Sequence, residues 1–330
     1  MERPGYLGAI QAFSLYTGSI SQVELTGDGP DLDDLERQFR SVNSKLFYAI
    51  PNFQNPSGQS YNLEKRKHLA DLCARYGTIL VENDPYGELR FARTDLPPVT
   101  SFMKSTSILL GTLSKIAAPG LRVGWIAGDE DVLDCLIIAR QAADLHTSAI
   151  TQQLAWQYLA TNNIDDHIEA IRSAYGRQRD YMITMIRKYF PPEVSFTQPE
   201  GGMFLWVTLP KRCSSVDLFE MAIREKAAFV PGAPFYVDGG GLNTMRLNFS
   251  NADEENIEEG IMRLGRCIEG YMGGRGNVEC STQNVECRTQ NAEEDQRRPR
   301  ATTQRKKVGW GNPFNNVCHC EPITCEAIPD

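Results

Sequence analysis

The apolar and polar positions of this chain follow one rhythm in its first half and another in its second. Residues 45–53, 78–81, 107–113 and 122–127 are short, mostly apolar runs of strand length. Between the first two, residues 62–76 set Leu69, Leu72, Cys73 and Tyr76 on one helical stripe, with Asn62 able to cap its start and Gly77 to stop its end. Strands separated by a helical pattern predict βαβ units and a mostly parallel sheet of the α/β class. From about residue 149 the helical period dominates. Residues 150–158 and 164–189 read as helices, the second ended by Pro191-Pro192, and 216–226 and 253–271 as two more. Residues 203–209 and 244–249 read as strands. These predict a smaller α+β unit, so the expected division is 1–160, 161–271 and a polar, aperiodic tail over 272–330 that reads as disordered.

Composition adds limits. The chain has 330 residues, 41% hydrophobic and 23% charged, which is ordinary for a globular protein with a substantial core. A net charge of −8 does not favour nucleic acid or an anionic membrane. No apolar run is long enough to span a bilayer, and Met1-Glu2-Arg3-Pro4 opens no signal-peptide core, so a cytoplasmic setting is expected. Of nine cysteines, five (Cys280, Cys287, Cys318, Cys320 and Cys325) fall in the tail; the other four read as small buried apolar residues. Cys318-His319-Cys320 with Cys325 fits no structural zinc spacing, and no metal is expected.

The chemistry concentrates in Thr112-Leu113-Ser114-Lys115-Ile116-Ala117-Ala118-Pro119-Gly120-Leu121-Arg122. A strand runs into hydroxyls, one lysine, a Pro-Gly turn and an arginine. An amine held there is desolvated and close to a second positive charge; both lower its pKa and make it a nucleophile toward an aldehyde. Hydroxyls with an arginine suit a phosphate monoester. An aldehyde carrying a phosphate describes pyridoxal 5′-phosphate (PLP).

This stretch, together with Pro4-Gly5-Tyr6-Leu7-Gly8-Ala9-Ile10-Gln11-Ala12-Phe13, Pro51-Asn52-Phe53-Gln54-Asn55-Pro56-Ser57-Gly58, Ala143-Asp144-Leu145-His146-Thr147 and Gly201-Gly202-Met203-Phe204-Leu205-Trp206, resembles the fold-type I, class I/II PLP-dependent aminotransferases, in their 2-aminoadipate aminotransferase-like branch. The resemblance covers about residues 4–268. It implies a mostly parallel sheet sandwiched by helices, plus a smaller C-terminal domain. Lys115 would be the catalytic lysine that holds the cofactor. Asn55 and Tyr86 would bond the cofactor's phenolic oxygen, Asn55 also touching the substrate carboxylate. Thr112, Ser114 and Arg122 would hold the phosphate, and Arg246 would clamp the substrate α-carboxylate. The implied partners are an L-amino acid of 2-aminoadipate, aromatic or branched-chain type and a 2-oxo acid such as 2-oxoglutarate, on a homodimeric enzyme.

Asn83 departs from the pattern. An aspartate normally stands three residues before the tyrosine and pairs with the ring nitrogen; Asp84 is adjacent, but neighbouring strand residues point to opposite faces, so it substitutes only in a bulged or shifted strand. The family's order also begins well before Pro4, so the chain reads as N-terminally truncated, without the helix whose amino end meets the phosphate. These departures also suit an inactive aminotransferase fragment. A further reading, implied by the resemblance because this fold is also used that way, is the PLP-sensing effector domain of a transcription regulator, which needs a basic winged-helix segment upstream.

Overall fold

Two four-stranded sheets organise the computed structural model, which describes residues 1–16, 19–91 and 95–274. The chain opens with a short parallel pair, β1 (Glu2–Arg3) and β2 (Val23–Glu24), around helix α1 (Leu7–Ser14). Helix α2 (Leu32–Val42) is capped by Asp31, whose carboxylate accepts the Asp33 and Asp34 amides. The first sheet then forms from β3 (Leu46–Ala49), β4 (Ile79–Asn83), β5 (Ser107–Thr112) and β6 (Gly124–Gly128), in that spatial order. Helix α3 (Leu63–Tyr76) connects β3 to β4, and this crossover leaves the two strands parallel. Asn62 accepts the Lys65 amide at 2.8 Å and Gly77 ends the helix at φ 63°, as the sequence predicts. Strand β5 is parallel to β4, while β6 returns antiparallel to β5.

Alternation along β4 divides the core. Leu80 packs with Phe47, Leu69 and Leu72 on the α3 side, while Val81 packs with Tyr48, Ile50 and Tyr86 on the other. Beyond β6 the packing thins. Helix α4 (Glu130–Ala143) buries no residue and α5 (Ala149–Thr161) buries only Ala155.

The second sheet belongs to the later half. Helix α6 (Ile164–Tyr189) leads into β7 (Ser195–Phe196), β8 (Phe204–Thr208), helix α7 (Ser215–Arg224), β9 (Val230–Pro231), β10 (Thr244–Asn248) and helix α8 (Glu254–Met272). The strand order is β7-β8-β10-β9, antiparallel throughout. Met182 and Ile186 of α6, Leu205 and Val207 of β8, Leu247 of β10 and Ile261 of α8 meet in its core.

Some expected bounds move. The run at 45–53 leaves the sheet after Ala49, where Pro51 has no N–H to donate and Phe53 turns to φ 49°. Arg122 lies outside the strand predicted for 122–127; it ends a 3₁₀ turn over Pro119–Leu121 with φ 53°. Helices α1, α2 and α4 have no counterpart in the predicted elements. The last helix runs one residue past 271, and the tail from residue 275 with its five cysteines lies outside the described residues.

Candidate active site

Three loops leave the parallel strands at the same end of the sheet, where α/β folds place their ligands. The loop after β3 carries Asn55, the loop after β4 carries Tyr86, and the turn after β5 carries Lys115. Strand β10 brings Arg246 toward them from the second sheet.

Arg246 is fixed by its neighbours. In register it faces Trp206 of β8 on one side and Val230 of β9 on the other. Its guanidinium lies over the Phe204 ring at 4.2 Å and near the Phe235 ring at 5.5 Å, both favourable cation–π distances. Nη1 donates to Asn55 Oδ1 at 2.8 Å, and Asn55 Nδ2 approaches the Tyr86 hydroxyl at 3.5 Å. Asn55 and Tyr86 are 5% and 4% exposed and Arg246 is partly buried, so little of this chain of contacts meets bulk water. Arg246 Nε is buried and has no hydrogen-bond partner. Burial lowers the guanidinium's pKa without removing its charge. A buried cation with an idle donor is poised for an incoming anion, because an unmatched buried donor costs about 1–3 kcal/mol. Burial likewise pushes the Tyr86 phenol above its ordinary range, so it stays protonated.

Lys115 occupies looser ground. It is half-buried, and desolvation lowers its amine from the usual range, helped by the Arg246 and Arg122 charges. Thr112 Oγ1 donates to Ser114 Oγ at 3.0 Å and accepts the Ser114 amide at 3.1 Å, which folds the turn just before the lysine. Arg122 is exposed and rests on the Pro119 carbonyl at 3.3 Å. The structure therefore gathers Thr112, Ser114, Lys115 and Arg122 on one turn beside the Asn55–Arg246 contact.

The end of β4 answers the question raised by Asn83. Strand β4 keeps regular parallel register with β3 through Glu82 and with β5 through Asn83, and the Asp84 amide continues to the Leu110 carbonyl at 2.9 Å. The strand is neither bulged nor shifted. Asn83 Nδ2 donates to the Tyr48 hydroxyl at 2.7 Å. Asp84 faces the other way, accepting Asn52 Nδ2 at 3.0 Å and the Gly87 amide at 2.9 Å, near Arg66 and Arg90. It cannot replace a carboxylate at Asn83.

One residue beyond the predicted set belongs with the site. Tyr6, just before α1, packs at the edge of the cluster that contains Tyr48 and Tyr86. An aromatic between a Pro-Gly pair and a helix start was the available signal, but one tyrosine there is indistinguishable from a packing residue. Among the described residues no group of His, Cys, Asp and Glu side chains could hold a metal ion.

Comparison with known proteins adds the ancestry. Over 278 residues the chain is 40% identical to aromatic-amino-acid aminotransferase 1 of Thermococcus litoralis, spanning 82% of this chain and 67% of that protein. It is 39% identical to the 2-aminoadipate transaminase of Thermus thermophilus, over 82% of this chain and 69% of that one. The solved structure of the Thermus enzyme, complexed with N-(5′-phosphopyridoxyl)-L-leucine, superposes with a TM-score of 0.79 over 82% of this chain and 70% of that chain. Kynurenine aminotransferase of Pyrococcus horikoshii, solved with PMP, gives 0.78 at 40% identity, over 81% and 68% of the two chains. The model of aminotransferase class I and II matches residues 1–264. A fold-type I sheet ending in these loops and a match of that length lead to one conclusion: the chain belongs to the class I and II aminotransferases, a PLP-dependent family of transaminases.

Proposed function

We propose that this chain moves an amino group between an L-amino acid of the 2-aminoadipate, aromatic or branched-chain type and a 2-oxo acid, 2-oxoglutarate being the expected acceptor. The observation that carries the reading is the buried Arg246–Asn55–Tyr86 contact chain beside an amine of lowered pKa. The names of the relatives above support the aromatic and 2-aminoadipate part of that class. A homodimeric assembly and a cytoplasmic setting complete the proposal; no helix among the described residues is long and apolar enough to cross a membrane.

The residues fit PLP by the chemistry of their donors. Thr112, Ser114 and Arg122 offer two hydroxyls and a cation to a phosphate; Tyr86 and Asn55 offer donors to a phenolic oxygen; Lys115 offers an amine to an aldehyde. Bound there, PLP would supply an aldehyde that condenses with amines and a conjugated ring that takes up electron density from the substrate Cα. Arg246 clamps the substrate α-carboxylate, its idle Nε finding an acceptor, and so orients the Cα–H bond. With PLP bound, the Lys115 amine would be placed to act as the general base that accepts the substrate Cα proton and as the acid that gives it back. Its lowered pKa keeps more of it in the neutral, proton-accepting form at neutral pH. Phe204 and Phe235 keep water from the clamp.

The test is direct. Purified chain is incubated with PLP, reduced with borohydride and mapped by mass spectrometry, and amino transfer is assayed from leucine, phenylalanine and 2-aminoadipate to 2-oxoglutarate. Label on Lys115 and transfer lost by at least about 100-fold in Lys115→Ala are expected. Transfer that survives that substitution would overturn the proposal.

A further inference from the structure

We propose that Asn83 and Tyr48 are the partners of the cofactor's ring nitrogen and that, being uncharged, they leave this nitrogen unprotonated. The inference rests on the PLP reading above and deepens it.

The covalent structure of PLP sets the direction. Its ring nitrogen stands opposite the carbon that bears the aldehyde. A ring whose aldehyde meets Lys115, and whose phenolic oxygen meets Asn55 and Tyr86, therefore turns its nitrogen away from the lysine and toward the strands. The polar groups on that side of β4 are the Asn83 amide and the Tyr48 phenol, joined at 2.7 Å within the cluster that contains Ile50, Val81 and Tyr86. Keeping that nitrogen charged takes an anion against it, such as an aspartate carboxylate.

The charged groups nearby are committed elsewhere. Asp84 is held by Asn52 and Gly87 on the opposite face. Glu82 lies on that face too, accepting the Val99 amide at 3.0 Å and the Thr100 amide at 2.8 Å. Glu2, the buried acid closest in influence to Tyr48, accepts the Ile50 amide at 2.8 Å and the Tyr61 hydroxyl at 2.6 Å on one oxygen and Gln54 Nε2 at 3.2 Å on the other. Arg246 is engaged with Asn55 and its two aromatic rings. Tyr86, a further titratable neighbour of Tyr48, is held above its ordinary range by burial and stays a neutral phenol.

Hydrogen-bond polarity agrees. An unprotonated pyridine nitrogen is an acceptor. The Tyr48 oxygen already accepts the Asn83 N–H, so its own proton is free to be donated. Burial holds that phenol above its ordinary range, which preserves it as a neutral donor. Without a ring charge, the cofactor draws electrons from Cα less strongly, and proton removal by Lys115 slows relative to an enzyme with a carboxylate at this position.

The experiment uses the full chain reconstituted with PLP carrying ¹⁵N in its ring. The nitrogen chemical shift is read across the neutral pH range, and a parallel sample is reduced with borohydride to map the adduct. Label on Lys115 with the shift of a neutral pyridine is expected. Asn83→Asp, a near-isosteric change, should move the resonance to the pyridinium position. Tyr48→Phe should leave the nitrogen neutral while weakening PLP retention about tenfold, the worth of one good hydrogen bond. Label on Lys115 with a pyridinium shift in the unmodified chain, or an Asn83→Asp resonance identical to it, overturns this inference and leaves the PLP reading standing. No label on Lys115 overturns both.

Discussion

The two sides of the site are built to different standards. Asn55, Tyr86 and Arg246 sit among aromatic rings and strands, nearly closed to water. Lys115, Thr112, Ser114 and Arg122 sit on a turn between β5 and the edge strand β6, where Trp125 and Ile126 are 50% and 47% exposed. Beyond them, Ile137, Ile138, Leu154 and Trp156 of α4 and α5 are all more than half exposed. The Asn55–Tyr86–Arg246 side is thus held by core packing, whereas the Lys115–Arg122 side is held by local hydrogen bonds within its turn. Preorganisation comes from buried, mutually constrained groups, so the first side enforces its geometry and the second is free to adjust.

The largest effect should come from breaking the buried side. Arg66 is fully buried beneath the Asn55 loop and donates to the Tyr61 and Pro51 carbonyls, each at 3.0 Å, and to Asn52 Oδ1. Asn52 in turn holds Asp84. Arg66→Met removes one member of a buried polar network and strands its partners, at a cost of about 3–5 kcal/mol by urea unfolding. Ile138→Ala, on the exposed side, should stay within about 0.5 kcal/mol. Similar costs for the two would erase the contrast.

Hydrogen exchange tests the same contrast without mutation. Amides of β4, β8 and β10 should exchange only through large openings. Those of β6 and α4 should exchange at least about 100-fold faster, through local openings roughly 3 kcal/mol cheaper. Uniform protection across both sheets would show that the exposed side is as firmly held as the buried one.

A smaller effect should fall on substrate affinity. Arg246→Lys keeps a positive charge but loses the planar fork and the stack between Phe204 and Phe235. The KM for the amino acid should rise about 10- to 100-fold, the loss of one or two charge-assisted hydrogen bonds, with a lesser change in kcat. A change confined to kcat would mean that Arg246 acts on the chemistry rather than on the carboxylate.

What the sequence reveals follows the same divide. Helix α3 is legible because its start, stripe and stop are each written locally in Asn62, Leu69–Leu72–Cys73 and Gly77. Helix α6 is legible from its period and the prolines after it. Helix α4 is not, because Ile137 and Ile138 stand side by side and no residue of the helix is buried, so no single stripe marks its face. Helix α2 passes unseen because only Leu35 and Phe39 are buried among its charges. At the site, alternation on β4 states the condition under which Asp84 could serve, but only the contacts to Asn52 and Gly87 show that it turns away. Tyr6 is missed for a related reason: its importance lies in what folds against it from Tyr48 and Tyr86, which are distant in sequence.

The smallest expected effect concerns the pH at which Lys115 reacts. Its amine is lowered first by desolvation and then by the charges of Arg246 and Arg122. A lowered pKa means that the neutral, nucleophilic form persists to lower pH than for a free lysine, so the rate at which PLP is captured on Lys115 should reach its plateau at a lower pH than capture on surface lysines. Removing a nearby positive charge favours the protonated amine, so Arg122→Ala should move the Lys115 profile to higher pH. The shift should be modest because Arg122 is exposed and its field is screened by water and salt. Raising the ionic strength should shrink the difference between wild type and variant, while the offset due to desolvation should persist. Capture rates followed by borohydride quenching and mass spectrometry over a pH series separate the two causes. A profile insensitive to both Arg122→Ala and salt would assign the lowered pKa to burial, and a displacement toward lower pH in the variant would contradict the charge geometry of the turn.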